Sequence, residues 1–447
     1  MGDPDSGRSF GTLLRAWRKR ALLTQEQLAE RAGLNVRTIR RLETHALRQP
    51  RTASILLLAR ALELDGEERA ALAAAARGLP VPGTATASGP PAAVPRQLPA
   101  DVAELTGRER ELAIVEGHHS ANTLPVVSIT GMAGAGKTAL AVHAAHRLAP
   151  HYPDGQLFAD LRGHGRTAAP SEPSAVLGCM LRGLGIPDEH VPVRLDDRAA
   201  LYRSVLAGRR VLVVLDDAAD EQQIQPLLPA GPGCRVIVTG RRRLICPGDA
   251  RDLALDVLPV ADAVALLVLM AGPERVGDTP PDLLAEVVRR CGLLPLAIRV
   301  AAARLHVHPS WDVRHLLDRL AGDRLAELRA GRHSVAAALD VSYERLPADL
   351  RRAYRMLGSC VRSDFGLDVA AVLLDTTVAR AGRLLAGLMD AHLLREPAPG
   401  RYTFHDLVRD HARELRRTRE PLTGAARPAG SDITPFHGIA GVYSHIE

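Results

Sequence analysis

The stretch LPVVSITGMAGAGKT, residues 124–138, constrains the fold of this chain more than any other. Its first half is an apolar, β-branched run suited to a buried strand. Its second half spaces Gly131, Gly136, Lys137 and Thr138 as G-x-x-x-x-G-K-T. A strand that enters a glycine-rich turn and then a helix belongs to a parallel α/β sheet, with the turn at the carboxyl edge of the strands. The order of residues carries the chemistry. Glycines let backbone amides close around phosphate oxygens, and Gly134, Ala135 and Ala139 complete that cradle. Lys137 reaches the outer phosphates, and Thr138 holds magnesium at the helix start. Only two lysines, Lys19 and Lys137, stand against 55 arginines, so lysine is retained where a compact ammonium is needed rather than a rigid fork.

RRVLVVLDDAAD, residues 209–220, supplies the acidic half of such a site. Val211 to Leu215 read as a second buried strand, with Asp216 and Asp217 at its carboxyl end. Asp216 is the candidate for the magnesium shell. Asp217 is the candidate for orienting or deprotonating water, with Lys137 as the other catalytic residue. CRVIVTGR, residues 234–241, places Thr239 and Arg241 at the same edge, where Arg241 senses the terminal phosphate. ATP or ADP with Mg2+ is the implied cofactor set.

The front of the chain has a different pattern. Phe10, Leu13, Leu14 and Trp17 mark one face of a first helix. In TQEQLAERAGLNVRTIRRLE, residues 24–43, Thr24 and Gln27 form a capping box and Gly33 supplies a tight turn. Asn35 caps a third helix running through Val36, Ile39 and Leu42, of which Ile39 and Leu42 form the buried face. Two short helices about a glycine turn are the helix-turn-helix arrangement, whose second member enters the major groove of DNA. Gln25, Val36, Arg37, Thr38, Arg40 and Arg41 are the candidate contacts to double-stranded DNA. Residues 1–50 hold ten Arg or Lys against five Asp or Glu, a local excess that suits a polyanion.

Length and composition bound the rest. The 447 residues allow about three domains. Five scattered cysteines make no C-x-x-C pair and no disulfide framework, which points to a reducing cytoplasm. No apolar run reaches the roughly 18 residues that a membrane span requires, so no membrane partner is expected. Residues 79–100 are rich in Pro, Ala, Gly and Thr and read as a flexible linker.

LTQEQLA, AGL and TIRRLE together resemble the phage-repressor-like, or XRE, family of helix-turn-helix domains, and TASILLLARALEL at 52–64 resembles that family's fourth helix. Residues 105–411 resemble the NB-ARC (STAND-type) signalling ATPases, in the form found in actinobacterial transcriptional regulators. LTGRERELA at 105–113 resembles the entry motif, which implies Gly107 and Arg108 beside the adenosine. GQLFADLRG at 155–163 matches the second-strand pattern. CGLLPLAI at 291–298 implies that Pro295 packs against adenine. YTFHDLVRDHA at 402–412 resembles the Met-His-Asp segment, which implies that His405 meets the β-phosphate in a closed ADP state; Phe404 replaces the usual methionine.

The resulting expectation is a multidomain chain. An all-α helix-turn-helix domain occupies 1–78 and an α/β P-loop domain 101–250. A helical domain at 251–325, a winged-helix domain at 326–415 and a disordered tail at 416–447 follow. Resemblance implies a slow ATPase used as a switch, with ADP closing the molecule and ATP opening it to self-association that pairs DNA readers. The alternative is a defence-type switch whose front domain recruits protein. Tetratricopeptide and leucine-rich periods are absent from the sequence, which leaves the input signal unassigned.

Overall fold

A computed structural model describes residues 10–419 apart from 22, 45–51, 63, 77–93, 103, 118–122, 166–168, 247–249, 332 and 361–363. The chain divides into two compact units, Met1–Ala92 and Ala93–Glu447.

The first unit is all-helical: α1 (Phe10–Arg20), α2 (Gln25–Ala32), α3 (Val36–Glu43), α4 (Thr52–Ala61) and α5 (Gly66–Ala76). Its core is Phe10, Leu14, Trp17, Leu28, Ile39, Leu42, Leu58 and Leu72. The caps form as their residue types require. Thr24 Oγ1 accepts from Gln27 N at 3.1 Å, and Gln27 Oε1 accepts from Thr24 N at 2.8 Å. Gly33 sits at φ 63°, a left-handed position that glycine occupies without steric cost. Asn35 Oδ1 accepts from Arg37 N at 2.9 Å.

The second unit opens with α6 (Glu109–Glu116) and a five-stranded parallel sheet in the order β2-β3-β4-β1-β5. The strands are β1 (Val126–Thr130), β2 (Gln156–Asp160), β3 (Leu212–Ala218), β4 (Arg235–Gly240) and β5 (Arg251–Ala254). β1 and β4 are buried along their whole length, as parallel strands covered on both faces must be. The crossover helices include α7 (Lys137–Leu148), α8 (Pro173–Gly183) and α9 (Leu195–Leu206), with a short α10 (Glu221–Ile224) after β3. β5 pairs with β1, so residues 251–254, expected within a helical domain, complete the sheet instead.

Residues 94–100 also depart from expectation. Read from composition as linker, they lie along the sheet: Arg96 bridges Gln156, and Gln156 N donates to the Pro95 carbonyl at 2.7 Å. The rest of the expected linker, 79–93, lies outside the described residues.

A helical layer follows, with α11 (Val260–Ala271), α12 (Pro273–Val276), α13 (Pro281–Arg290), α14 (Pro295–Val307), α15 (Val313–Gly322) and α16 (Arg324–Glu327). After the small hairpin β6 (Arg329–Ala330) and β7 (His333–Ser334) come α17 (Val335–Glu344), α18 (Ala348–Leu357), α19 (Leu367–Leu373) and α20 (Val378–Asp390). A three-stranded antiparallel sheet, β8 (Asp364–Gly366), β9 (Arg395–Ala398) and β10 (Arg401–Thr403), runs in the order β8-β10-β9. The last element, α21 (Asp406–Arg419), extends the ordered chain four residues into the expected tail; 420–447 lie outside the described residues. No described helix is long and apolar enough to cross a membrane.

Candidate functional site

The carboxyl edge of the parallel sheet opens into a cavity of about 880 Å³. Gly134, Ala135, Gly136, Lys137, Thr138 and Ala139 form one wall, and Asp216, Asp217, Thr239 and Arg241 another. Leu258, Leu266, Met270, Pro295 and Leu296 give it an apolar end. That division suits a ligand with a flat apolar part and a charged part.

The loop has its shape because glycine permits it. Gly131, Gly134 and Gly136 have φ of 150°, 83° and 97°. A Cβ on Gly131 would lie 2.6 Å from the Leu255 carbonyl oxygen, and one on Gly134 2.7 Å from Leu296 Cβ. Gly131 itself forms the turn below the cavity rather than its wall. Lys137 is buried and donates from Nζ to the carbonyls of Gly131 and Met132 at 3.0 and 2.9 Å. Burial, then the charge of Arg241, pulls its ammonium down to about 7. Anionic oxygens in the loop would reverse that pull.

Thr138 Oγ1 lies 2.9 and 3.1 Å from the two oxygens of Asp216, and Thr239 Oγ1 donates to Asp216 Oδ1 at 2.5 Å. A hydroxyl and a carboxylate side by side, next to the phosphate cradle, fit a hard divalent cation whose other ligands are water and phosphate. Burial raises the Asp216 carboxyl, against the two threonine hydrogen bonds.

Asp217 differs. Burial would raise it, yet hydrogen bonds from His164 hold it below the usual carboxylate range. Asp217 Oδ2 accepts from His164 N at 2.9 Å, and Oδ1 meets His164 Nδ1 at 3.0 Å. Arg241 Nε stands 3.9 Å from the same Oδ1. With one hydrogen bond on each oxygen, Asp217 is held in place and keeps free lone pairs with which to orient a water. His164 was not among the residues singled out from sequence, and no local pattern marks it.

The entry motif is present but its roles divide. Arg108 lies in the cavity wall, is 4% exposed, and donates to the Asp256 carbonyl at 2.6 Å and the Ala135 carbonyl at 3.3 Å, so it also braces the loop. Gly107, at φ 68°, packs against Asp262, where a Cβ would lie 2.4 Å from that residue's Cβ; Gly107 is not part of the cavity wall. Pro295 begins α14 beside Gly136, and Leu296 N donates to the Gly134 carbonyl at 3.2 Å.

His405 is not in the cavity wall. Its Nε2 donates to the Gly292 carbonyl at 2.7 Å, and Nδ1 accepts from Leu407 N at 3.3 Å. Burial holds the imidazole neutral, below its ordinary value. The imidazole thus clasps the turn ahead of Pro295 through the Gly292 carbonyl. Phe404 is buried against Tyr354 and Phe365, at ring separations of 5.8 and 6.3 Å.

Two residues that carry no sequence signal approach the loop from the C-terminal region. Arg395 pairs with Asp256 at 2.6 Å and lies 3.9 Å from Met132 Sδ. His392 has a buried Nε2 with no hydrogen-bond partner, and burial pulls its imidazole down to about 4.

In the helical unit, Arg37 and Arg41 are exposed on α3, with Val36 and Thr38 half-buried beside them. Arg40 is turned back onto α2, with Nη2 2.8 Å from Glu26 Oε1 and Nε 3.3 Å from Gln25 Oε1. Gln25 in turn donates to Glu43 Oε2 at 2.7 Å. Glu43 is buried and also takes Arg18 Nε at 2.6 Å, a network that fixes the angle between α2 and α3. A lone glutamate after Leu42 gave no sign of that role.

These two sites define a chain with a helix-turn-helix module in front of a P-loop ATPase-type module. The helix-turn-helix domain family matches residues 9–72, and the NB-ARC domain family matches 109–276. The chain is an XRE-like helix-turn-helix domain fused to an NB-ARC domain. Over 361 residues, 78% of the chain, it is 44% identical to the regulatory protein AfsR of Streptomyces griseus. The chain spans 36% of that protein's length. It is 26% identical over 319 residues to the disease resistance protein RPV1 of Vitis rotundifolia, covering 69% of this chain and 22% of that one. Among solved structures, a Signal Transduction ATPase with Numerous Domains from Pyrococcus horikoshii aligns over 71% of this chain and 43% of its own, at 20% identity and a TM-score of 0.33.

Proposed function

We propose that this chain is a nucleotide-switched DNA-binding regulator. Lys137 and the amides of residues 134–139 hold the phosphates of ATP or ADP. Thr138 and Asp216 hold Mg2+, which shields phosphate charge, and Asp217 orients water for slow turnover. The region 326–415, with its helices and β9–β10 hairpin, acts as a winged-helix domain that closes on the nucleotide module. Arg37 and Arg41 on α3 meet DNA, and self-association in the ATP state pairs two readers on adjacent half-sites.

One observation carries this reading. The loop that would grip phosphate is the same loop that the C-terminal region touches, through Arg395 at Met132 and through His405 on the turn bonded to Gly134. A ligand that binds one arrangement of this loop better shifts the balance between closed and open forms. DNA titration of the full chain with ADP, and with a slowly hydrolysed ATP analogue, tests it. Tighter, more cooperative binding with the analogue is expected; equal binding with both nucleotides would sink the coupling.

A further inference from the structure

Successive side chains of a β-strand point to opposite faces, so Asp216 and Asp217, neighbours on β3, would ordinarily part. Both nevertheless stand in the cavity wall. The backbone shows how this is done. Asp217 has φ 55°, a left-handed conformation, and the pairing of β3 with β4 shifts register between Leu215 and Ala218. That break in the strand brings the second carboxylate back to the same edge as the first.

The turn after β2 holds the break in place. Gly163 N donates to the Asp217 carbonyl at 2.6 Å, and Asp217 N donates to Thr239 Oγ1 at 2.9 Å. A Cβ on Gly163 would lie 2.5 Å from that carbonyl oxygen, so only glycine lets the two chains come this close. The stretch GQLFADLRG, residues 155–163, thus closes on the residue this approach requires. The next residue takes the side chain. His164 is buried; its backbone N–H donates to Asp217 Oδ2 at 2.9 Å, and its Nδ1 lies 3.0 Å from Oδ1. An ionised carboxylate only accepts, so Nδ1 carries the proton. His164 itself is not in the cavity wall and reaches the carboxylate from behind.

We propose that His164 is a positioning residue for hydrolysis of the bound nucleotide. Its two donors fix the direction of the Asp217 carboxylate and so set the lone pairs that orient the attacking water. The water oxygen bonds to the terminal phosphorus, the bond to the leaving diphosphate breaks, and both protons of the water leave on the inorganic phosphate. His164 neither gives nor takes a proton in this step. The inference rests on the hydrolytic role given to Asp217 above and adds the residue through which that role is set.

The test uses the full chain and combines turnover of ATP with Mg2+, calorimetry with ADP, and NMR of protein labelled in its histidine rings. Wild type, His164→Ala, His164→Asn, Asp217→Gly and the His164→Ala/Asp217→Gly double variant are compared. In His164→Ala kcat should fall about tenfold, the cost of one hydrogen bond to a charged group. KM for ATP and affinity for ADP should stay at their wild-type values, because His164 lies outside the cavity wall. His164→Asn presents an amide N–H where Nδ1 stands and should restore most of kcat. Asp217→Gly suits the left-handed backbone, and in that background removing His164 should change nothing further. In nucleotide-free wild type, at a pH where free histidine is neutral, NMR should find the His164 proton on Nδ1, and in Asp217→Gly on Nε2. An unchanged kcat in His164→Ala, or a loss that asparagine does not restore, overturns this proposal alone. A ring proton on Nε2 in wild type does the same. If wild type binds ATP with Mg2+ and turns none of it over, the hydrolytic role of Asp217 falls, and this inference with it.

Discussion

The ammonium of Lys137 is folded back onto the carbonyl of Gly131, 3.0 Å away, so the first and seventh residues of one loop hold each other. A cation buried against carbonyls, with Arg241 nearby, is a costly arrangement without an anion. Lys137→Ala should weaken ADP and ATP binding by at least about 100-fold, since a buried charge pair to phosphate is lost. The nucleotide-free protein should melt no lower than wild type. Calorimetry and thermal melts check both halves, and retained affinity in the folded variant would remove the site assignment.

Binding of DNA should depend on Arg37 and Arg41 more than on Arg40. All three are exposed on α3, but Arg40 is tethered at the surface to Glu26 and Gln25 of α2, and Arg37 and Arg41 carry no such bond to α2. Each lost phosphate contact lowers the slope of log affinity against log salt by about one. Titrations at several salt concentrations should show that fall for Arg37→Ala and Arg41→Ala and a smaller one for Arg40→Ala. Equal slopes in all three would place the DNA contact on another face.

His405 should act through the Gly292 turn. Its removal costs the hydrogen bond to the Gly292 carbonyl, about 1 kcal/mol, far below the roughly 5.5 kcal/mol of a complete switch. Light scattering of His405→Ala in ADP should therefore show a partial rise in assembly. A variant that stays as monomeric as wild type, with unchanged ADP release, would make this histidine purely a packing residue.

His392 supplies a pH dependence. Its folded value of about 4 lies below the ordinary 6.5, so between those values the unfolded chain binds a proton that the folded chain does not. Its contribution is complete above about pH 6.5 and is lost as pH falls toward 4. At pH 5.5 the loss is about 1 kcal/mol. Melting at pH 7.5 and 5.5 should show a smaller acid penalty for His392→Gln than for wild type, and an identical penalty would contradict its buried neutral state.

What sequence made legible was whatever local pattern dictates. Thr24 and Gln27 cap α2, Asn35 caps α3, and Gly131 through Thr138 build the loop, because each needs only neighbours within a few residues. β3 and β4 were legible as long apolar runs. β5 was not: its four residues, Arg251–Ala254, bury only Leu253, and pairing with β1 alone makes them a strand. Partner choice across distance was equally hidden. Nothing near Asp217 announces His164 fifty-three residues earlier, and nothing near Asp256 announces Arg395. The same holds for the bond between His405 and the Gly292 carbonyl, 113 positions earlier.

The turn ahead of Pro295 is gripped at both ends, by the Gly134 carbonyl through Leu296 N and by His405 through the Gly292 carbonyl. His405 immediately precedes α21, whose 14 residues make a rod about 21 Å long. α21 is no free arm: Leu407, Val408, His411, Ala412 and Leu415 are buried along it, Asp410 pairs with Arg324, and Tyr354 bonds to Val408 and His411. Whatever moves the turn must therefore move a packed layer of helices with it, so the phosphate loop is tied at one point to a whole body rather than to a single strut.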